Sequence, residues 1–146
     1  MKLKRSAFIP VLVLLLFYAS PAFPQIQVRV RMIEASNTGS TIDPSLRDVH
    51  DELGSLFNFT SYRLLRDEHL SMTAQRPIDI ATHRGVSLEI LLLRQIREMG
   101  EFRVRIRRDG KEILNTQVRL PQGRTVLIGG PKHGEGTIIL AITARF

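Results

Sequence analysis

Phe102-Arg-Val-Arg-Ile-Arg107, Leu114-Asn-Thr-Gln-Val-Arg-Leu120 and Thr137-Ile-Ile-Leu-Ala-Ile-Thr-Ala-Arg-Phe146 decide the fold of this chain. In the first, apolar and basic residues alternate with a period of two, which in an extended backbone sends Phe102, Val104 and Ile106 to one face and Arg103, Arg105 and Arg107 to the other. The second repeats the pattern, with Leu114, Thr116, Val118 and Leu120 opposite Asn115, Gln117 and Arg119. Each reads as a half-buried antiparallel strand whose even-numbered positions point inward. The third is apolar on both faces and is expected to be a central, doubly covered strand.

Parity constrains the turns. A single buried face needs even residues opposite even ones, and therefore an odd number of loop residues in each hairpin. The expected first loop is Arg108-Asp109-Gly110, a type I turn closed by a left-handed glycine bulge; Asp109-Gly110 alone would put Val104 opposite Asn115. Pro121-Gln122-Gly123 is expected to close a second hairpin, with Val118 facing Val126 and Thr116 facing Ile128.

Upstream, Gln25–Ala35 alternates with Ile26, Val28, Val30 and Met32 inside and Gln27, Arg29 and Arg31 outside. Ser36–Ile42 has loop composition. Asp43-Pro44 pairs an N-cap with a proline at the first helical position, and Leu46, Val49, Leu53, Leu56 and Phe57 follow at helical spacing, so one amphipathic helix is expected over Pro44–Phe57. Short strands are expected at Thr60–Leu65, His69–Thr73, Ile78–Ile80 and Val86–Leu93, with a turn through Glu98-Met99-Gly100. The fold class is mainly β (α+β): an antiparallel β-sandwich or strongly twisted sheet of about eight strands with one amphipathic helix.

Residues 1–22 combine Lys2, Lys4 and Arg5, the apolar run Val11–Tyr18 and small residues ending Ser20-Pro21-Ala22, the three parts of a secretory signal peptide, with cleavage expected after Ala22. The apolar run is short for a membrane anchor, which needs about 20 residues. Residues 23–146 then form a single β-rich domain, exported to the periplasm or cell envelope, with no transmembrane segment after signal cleavage. The chain has no cysteine, so no disulfide staples it and burial and sheet pairing must hold it together. Removing Lys2, Lys4 and Arg5 from 21 basic residues leaves 18 against 14 acidic ones, a charge of +4 rather than +7. Almost all of those cations are arginines, which suit bidentate contact with phosphate or carboxylate.

Few residues point to chemistry. His50, His69, His83 and His133 lack metal-ligand spacing, no serine sits in a Gly-x-Ser-x-Gly turn, and Gly129–Gly136 departs from a P-loop because its glycines join two strands and Pro131 removes an amide. No cofactor or metal is expected, and Gly129–Gly136 is expected to be a long connection carrying Lys132 and His133 as a candidate binding loop. Asn58-Phe59-Thr60 matches a glycosylation sequon too short to carry weight. The candidate binding face is Arg29, Arg31, Arg103, Arg105 and Arg107, which make one basic patch if the first strand neighbours the Glu101–Arg108 strand. An anionic envelope polymer or an acidic protein fits such a face. Nucleic acid does not, since export separates the protein from it and the arginine strands carry no stacking aromatics.

Val28-Arg-Val-Arg-Met-Ile-Glu-Ala-Ser36 resembles the strand that opens the secretin domain of outer-membrane secretion channels, a valine-rich run ending in Ile-Glu-Val. Gly123-Arg-Thr-Val-Leu-Ile-Gly-Gly130 with Ile138–Ile142 is similar to the late secretin hairpin, whose strand ends in Ile-Gly-Gly. The chain departs from secretins in lacking the Pro-, Leu- and Gly-rich segment after Gly-Gly and an amphipathic C-terminal membrane segment. The resemblance implies a stand-alone relative of that β-architecture rather than a pore. The expected function is a non-catalytic envelope or periplasmic binding or assembly module. The alternatives are an accessory, secretin-like subunit of a secretion apparatus and a small periplasmic hydrolase built around His83 or His133.

Overall fold

A computed structural model describes residues 25–82 and 84–146; the expected signal peptide, residues 1–22, lies outside them. Eight strands follow in order: β1 (Ile26–Ser36), β2 (Ser61–Met72), β3 (Ile78–Ala81), β4 (Val86–Ile96), β5 (Met99–Arg108), β6 (Lys111–Pro121), β7 (Thr125–His133) and β8 (Gly136–Arg145). They form two four-stranded antiparallel sheets, sheet A in the order β2-β1-β8-β7 and sheet B in the order β3-β4-β5-β6. The inward faces meet in one core that includes Val28, Val30, Leu88, Ile90, Phe102, Val104, Ile106, Leu140 and Ile142, a sandwich built from period-two alternation. No helix among the described residues is long and apolar enough to cross a membrane.

The inward phase of Glu101–Leu120 is as the alternation dictates, but the turn that sets it is different. The β5–β6 loop is Asp109-Gly110 alone, with φ of 51° and 77°, a two-residue turn of the mirror-image type. Parity is restored inside β6: Arg107 pairs with Glu112 and Ile106 with Leu114, so Ile113 bulges out and Val104 lies opposite Thr116. A bulge and an odd loop shift the register alike, and parity alone does not separate them.

The second hairpin does not form. β6 is an edge of sheet B and β7 an edge of sheet A, so Pro121–Gly123 carries the chain across the sandwich. Its backbone is tied to both layers, Gln122 N donating to Glu98 O at 2.9 Å and Gly123 N to Ala144 O at 2.9 Å. Val126 and Ile128 pair with Ile142 and Leu140 instead of Val118 and Thr116. Val118 and Val126 still pack against the same interlayer core, because face follows from alternation while partner does not.

β8 is central between β1 and β7 and buried on both sides, as its apolar sequence requires. Ile138, Leu140 and Ile142 enter the interlayer core, while Ile139 and Ala141 join Ile33, Ala35, Leu46, Val49, Leu53 and Tyr62 in a second cluster on the outer face of sheet A. That cluster exists because residues 43–57 lie over the sheet. The expected single helix is split into a 3-10 turn, Pro44–Leu46, and α1, His50–Leu56. Asp43 caps the 3-10 turn, accepting from Ser45 N at 2.9 Å. Leu46, Val49 and Leu53 are buried, whereas Leu56 is exposed. The Tyr62 hydroxyl lies 3.3 Å from Leu53 O, which also accepts from the C-cap Phe57 N at 2.9 Å, and 3.2 Å from Phe57 O, tying the end of the helix to β2.

Other expectations are revised in extent. Thr60–Leu65 and His69–Thr73 merge into β2, since β1 pairs along its whole length, with Leu65 bulged. Gly129–Gly136 is not a long connection: β7 and β8 extend through it to a turn at Gly134-Glu135, and Gly130-Pro131 forms a bulge opposite Ile138, where proline's missing N–H leaves no ladder bond broken.

Candidate functional site

The five arginines of the expected basic face do not form one patch. β1 and β5 belong to different sheets, so Arg29 and Arg31 lie on the outer face of sheet A and Arg103, Arg105 and Arg107 on the outer face of sheet B, a sandwich thickness apart. On sheet B the cations are offset by cross-strand glutamates. Arg105 sits between Glu89 and Glu112, 3.3 Å from each, and Arg107 is 4.0 Å from Glu89. Arg105 holds the Glu112 carboxyl below its ordinary range by a hydrogen bond. Arg103 flanks Leu91 and Gln117 with no ion pair among the described residues.

Sheet A carries a different arrangement. Antiparallel pairing brings outward residues into rows across the four strands. One row is Asp67, Arg31, Ala141 and Leu127; the next is His69, Arg29, Thr143 and Thr125; the last is Ser71, Gln27 and Arg145. The 3-10 turn and α1 cover the sheet beyond the first row and stop there. The two uncovered rows floor a groove of about 480 Å³, walled by Asp48 on one side and Gly123 on the other.

The charges of this groove are ordered by burial. Arg31 is 1% exposed and forms a bidentate pair with Asp48, 2.8 Å at both contacts, closing the covered end. That hydrogen-bonded guanidinium pulls the Asp48 carboxyl below its ordinary value. Arg29 grips Asp67 in the same bidentate way, at 2.8 and 2.6 Å, which lowers the aspartate and raises the arginine. Two arginines are therefore matched by two aspartates. Arg145 is left exposed without an ion pair among the described residues, beside the Thr125 and Thr143 hydroxyls, which are 2.7 Å apart, and the Gln27 amide, which exchanges hydrogen bonds with Ser71. The floor can thus offer one uncommitted guanidinium, hydroxyls and an amide to an anionic or polyhydroxylated ligand.

No family model, curated protein or solved structure significantly matches the chain.

The candidate loop residues are separated by strand geometry. Lys132 is exposed on β7, and its carbonyl accepts from Arg108 Nη2. The neighbouring His133 side chain is turned in, 12% exposed, its Nε2 3.6 Å from Glu34 Oε2, which is longer than a hydrogen bond. The void beside it is about 10 Å³, room for no more than one water. Glu34 also holds Arg63, at 2.8 Å. His83, the other imidazole considered for acid-base work, lies outside the described residues. Among the described residues no group of three His, Asp or Glu side chains is placed to hold a metal.

Arg145, Thr143 and Thr125 were not singled out by alternation, yet the sequence carries their signal. On β1 the outward positions change from Gln27, Arg29 and Arg31 to Ile33 and Ala35; on β8 they change from Thr143 and Arg145 to Ile139 and Ala141. Each change marks where a cover over the sheet ends.

Proposed function

We propose that the chain is an exported, non-catalytic binding module of the cell envelope, and that an anionic polymer or an acidic protein lies along the groove on the outer face of sheet A. The observation that carries this reading is Arg145, a guanidinium without a carboxylate on a floor of hydroxyls and an amide, whereas on sheet B Arg105 and Arg107 stand beside Glu89 and Glu112 and the unpaired Arg103 lies between Leu91 and Gln117. Export rests on the charged, apolar and small-residue sequence of residues 1–22.

Labelled polyglutamate and polyphosphate are suitable probes for fluorescence anisotropy. Arg145→Gln is expected to weaken binding about tenfold, the loss of one charge-assisted contact. Gln at Arg103, Arg105 and Arg107 together is expected to change it little. Equal binding by wild type and Arg145→Gln, or loss only in the triple variant, moves the site to sheet B and ends this reading. Export is checked by fractionating cells that express the full chain.

A second reading, an accessory subunit of a secretion apparatus, draws support from one placement. The segments that resemble secretins, on β1, β7 and β8, lie side by side in sheet A. It requires a ring or large oligomer on gel filtration, and a strict monomer counts against it.

A further inference from the structure

At the end of sheet B where β4 turns into β5, the outward residues again fall into rows. The outermost is Ile96, Met99 and Pro121; the one behind it is Arg94, Glu101 and Arg119. Ile96 is 53% and Met99 37% exposed, which makes them two of the few large apolar side chains that the sandwich leaves in water. They share a concavity of about 820 Å³ with Arg94, Arg97, Glu98, Glu101, Arg119 and Gln122, within the size range of small-molecule sites.

The charges of this concavity do not cancel. Glu101 is taken twice, by Arg94 at 2.5 Å and by Arg119 at 3.2 Å. Three arginines face two glutamates, and Arg97 has no ion pair among the described residues. Arg97 is also held in the left-handed region, with φ of 55°, at a turn position where glycine or asparagine is the relaxed choice. A strained backbone that keeps a guanidinium at the rim of an apolar floor points to a function for that side chain.

We propose that this end of sheet B binds a free amphiphilic anion, an apolar chain or ring system carrying one carboxylate, sulfate or sulfonate. The apolar body lies across Ile96, Met99 and Pro121, and the acid group meets Arg97 in the turn beyond them. The ladder fixes this order, because the apolar row lies between the turn that carries Arg97 and the row of Arg94, Glu101 and Arg119. The site is separate from the groove on sheet A and does not depend on what that groove binds.

The test is a titration of the full chain with anilinonaphthalene sulfonate, followed by displacement with dodecanoate or with dodecyltrimethylammonium at concentrations below micelle formation. One saturable site is expected, displaced by the carboxylate and not by the cation. Arg97→Asn is expected to weaken binding about tenfold while melting no lower than wild type, since asparagine relaxes the turn. Met99→Ser should weaken it as well, and Arg145→Gln should leave it unchanged. Full binding by Arg97→Asn, equal displacement by the cationic amphiphile, loss in Arg145→Gln, or binding to anionic vesicles without binding of monomeric dodecanoate would each overturn the proposal.

Discussion

Replacing Asp48 with alanine removes the carboxylate that takes both terminal nitrogens of Arg31, a side chain only 2% exposed, and leaves a cation that cannot turn to solvent. Breaking a fully buried pair from one side costs about 3–5 kcal/mol, whereas an exposed pair contributes about 0–1 kcal/mol. This pair is asymmetric, since Asp48 is 56% exposed and water can enter the space it vacates. The expected loss lies between the limits, about 2 kcal/mol, which for a domain of about 120 residues lowers Tm by roughly 8 °C. Arg31→Met removes the buried charge together with its desolvation and leaves Asp48 in water, so it should cost under about 1 kcal/mol. Thermal and urea unfolding of both variants provide the measurement. If Asp48→Ala and Arg31→Met were equally destabilised, or if Asp48→Ala lost less than about 0.5 kcal/mol, Arg31 would not be the dry, dependent partner described here.

The same pair predicts a pH dependence. The Asp48 carboxyl is lowered from 3.8 by its hydrogen bond to Arg31, and Asp67 is lowered likewise by Arg29, so their stabilisation is present above pH 3.8 and is lost as pH falls through the depressed folded values. Wild type should therefore lose stability more steeply than Asp48→Asn in acid melts below pH 3.8. Gly136→Ala should destabilise by about 2 kcal/mol or more, because its Cβ would lie 2.5 Å from the Ala35 carbonyl oxygen, whereas Gly54→Ala on the open face of α1 should gain about 0.5–1 kcal/mol in a denaturant melt. Leu53→Ala should cost about 2–5 kcal/mol and Leu56→Ala under about 0.5 kcal/mol, a contrast that chemical denaturation reads as the difference between the covered and open sides of the helix.

Legibility in the sequence follows the range of the interaction. Period-two alternation is a property of neighbours in the chain, so the inward residues Val28, Val104 and Val118 and the doubly apolar β8 could be read directly. The Asp43-Pro44 cap was readable for the same reason. What misled was the step from face to partner. Pro121-Gln122-Gly123 suits a hairpin loop and a crossing between layers equally well, and the choice was made by β8, which pairs with β1 on one edge and with β7 on the other. The bulge at Ile113 was hidden behind the same ambiguity, since it and an odd loop give one parity.

The sequence by itself therefore determined which strand positions face the interlayer core, that the architecture is mainly β with one helical segment, and that the cations are arginines; that Arg31 is buried and Leu56 exposed came only with the structure. Only the tertiary structure decided that Arg29 and Arg31 lie a layer apart from Arg103, Arg105 and Arg107, that Arg145 stands beside two threonines from separate strands, and that Ile96 and Met99 share a hollow with Arg97. The physical reason is that alternation fixes the direction of a side chain relative to its own strand, while a site is made by strands distant in sequence, whose pairing is set by the burial of the whole sheet.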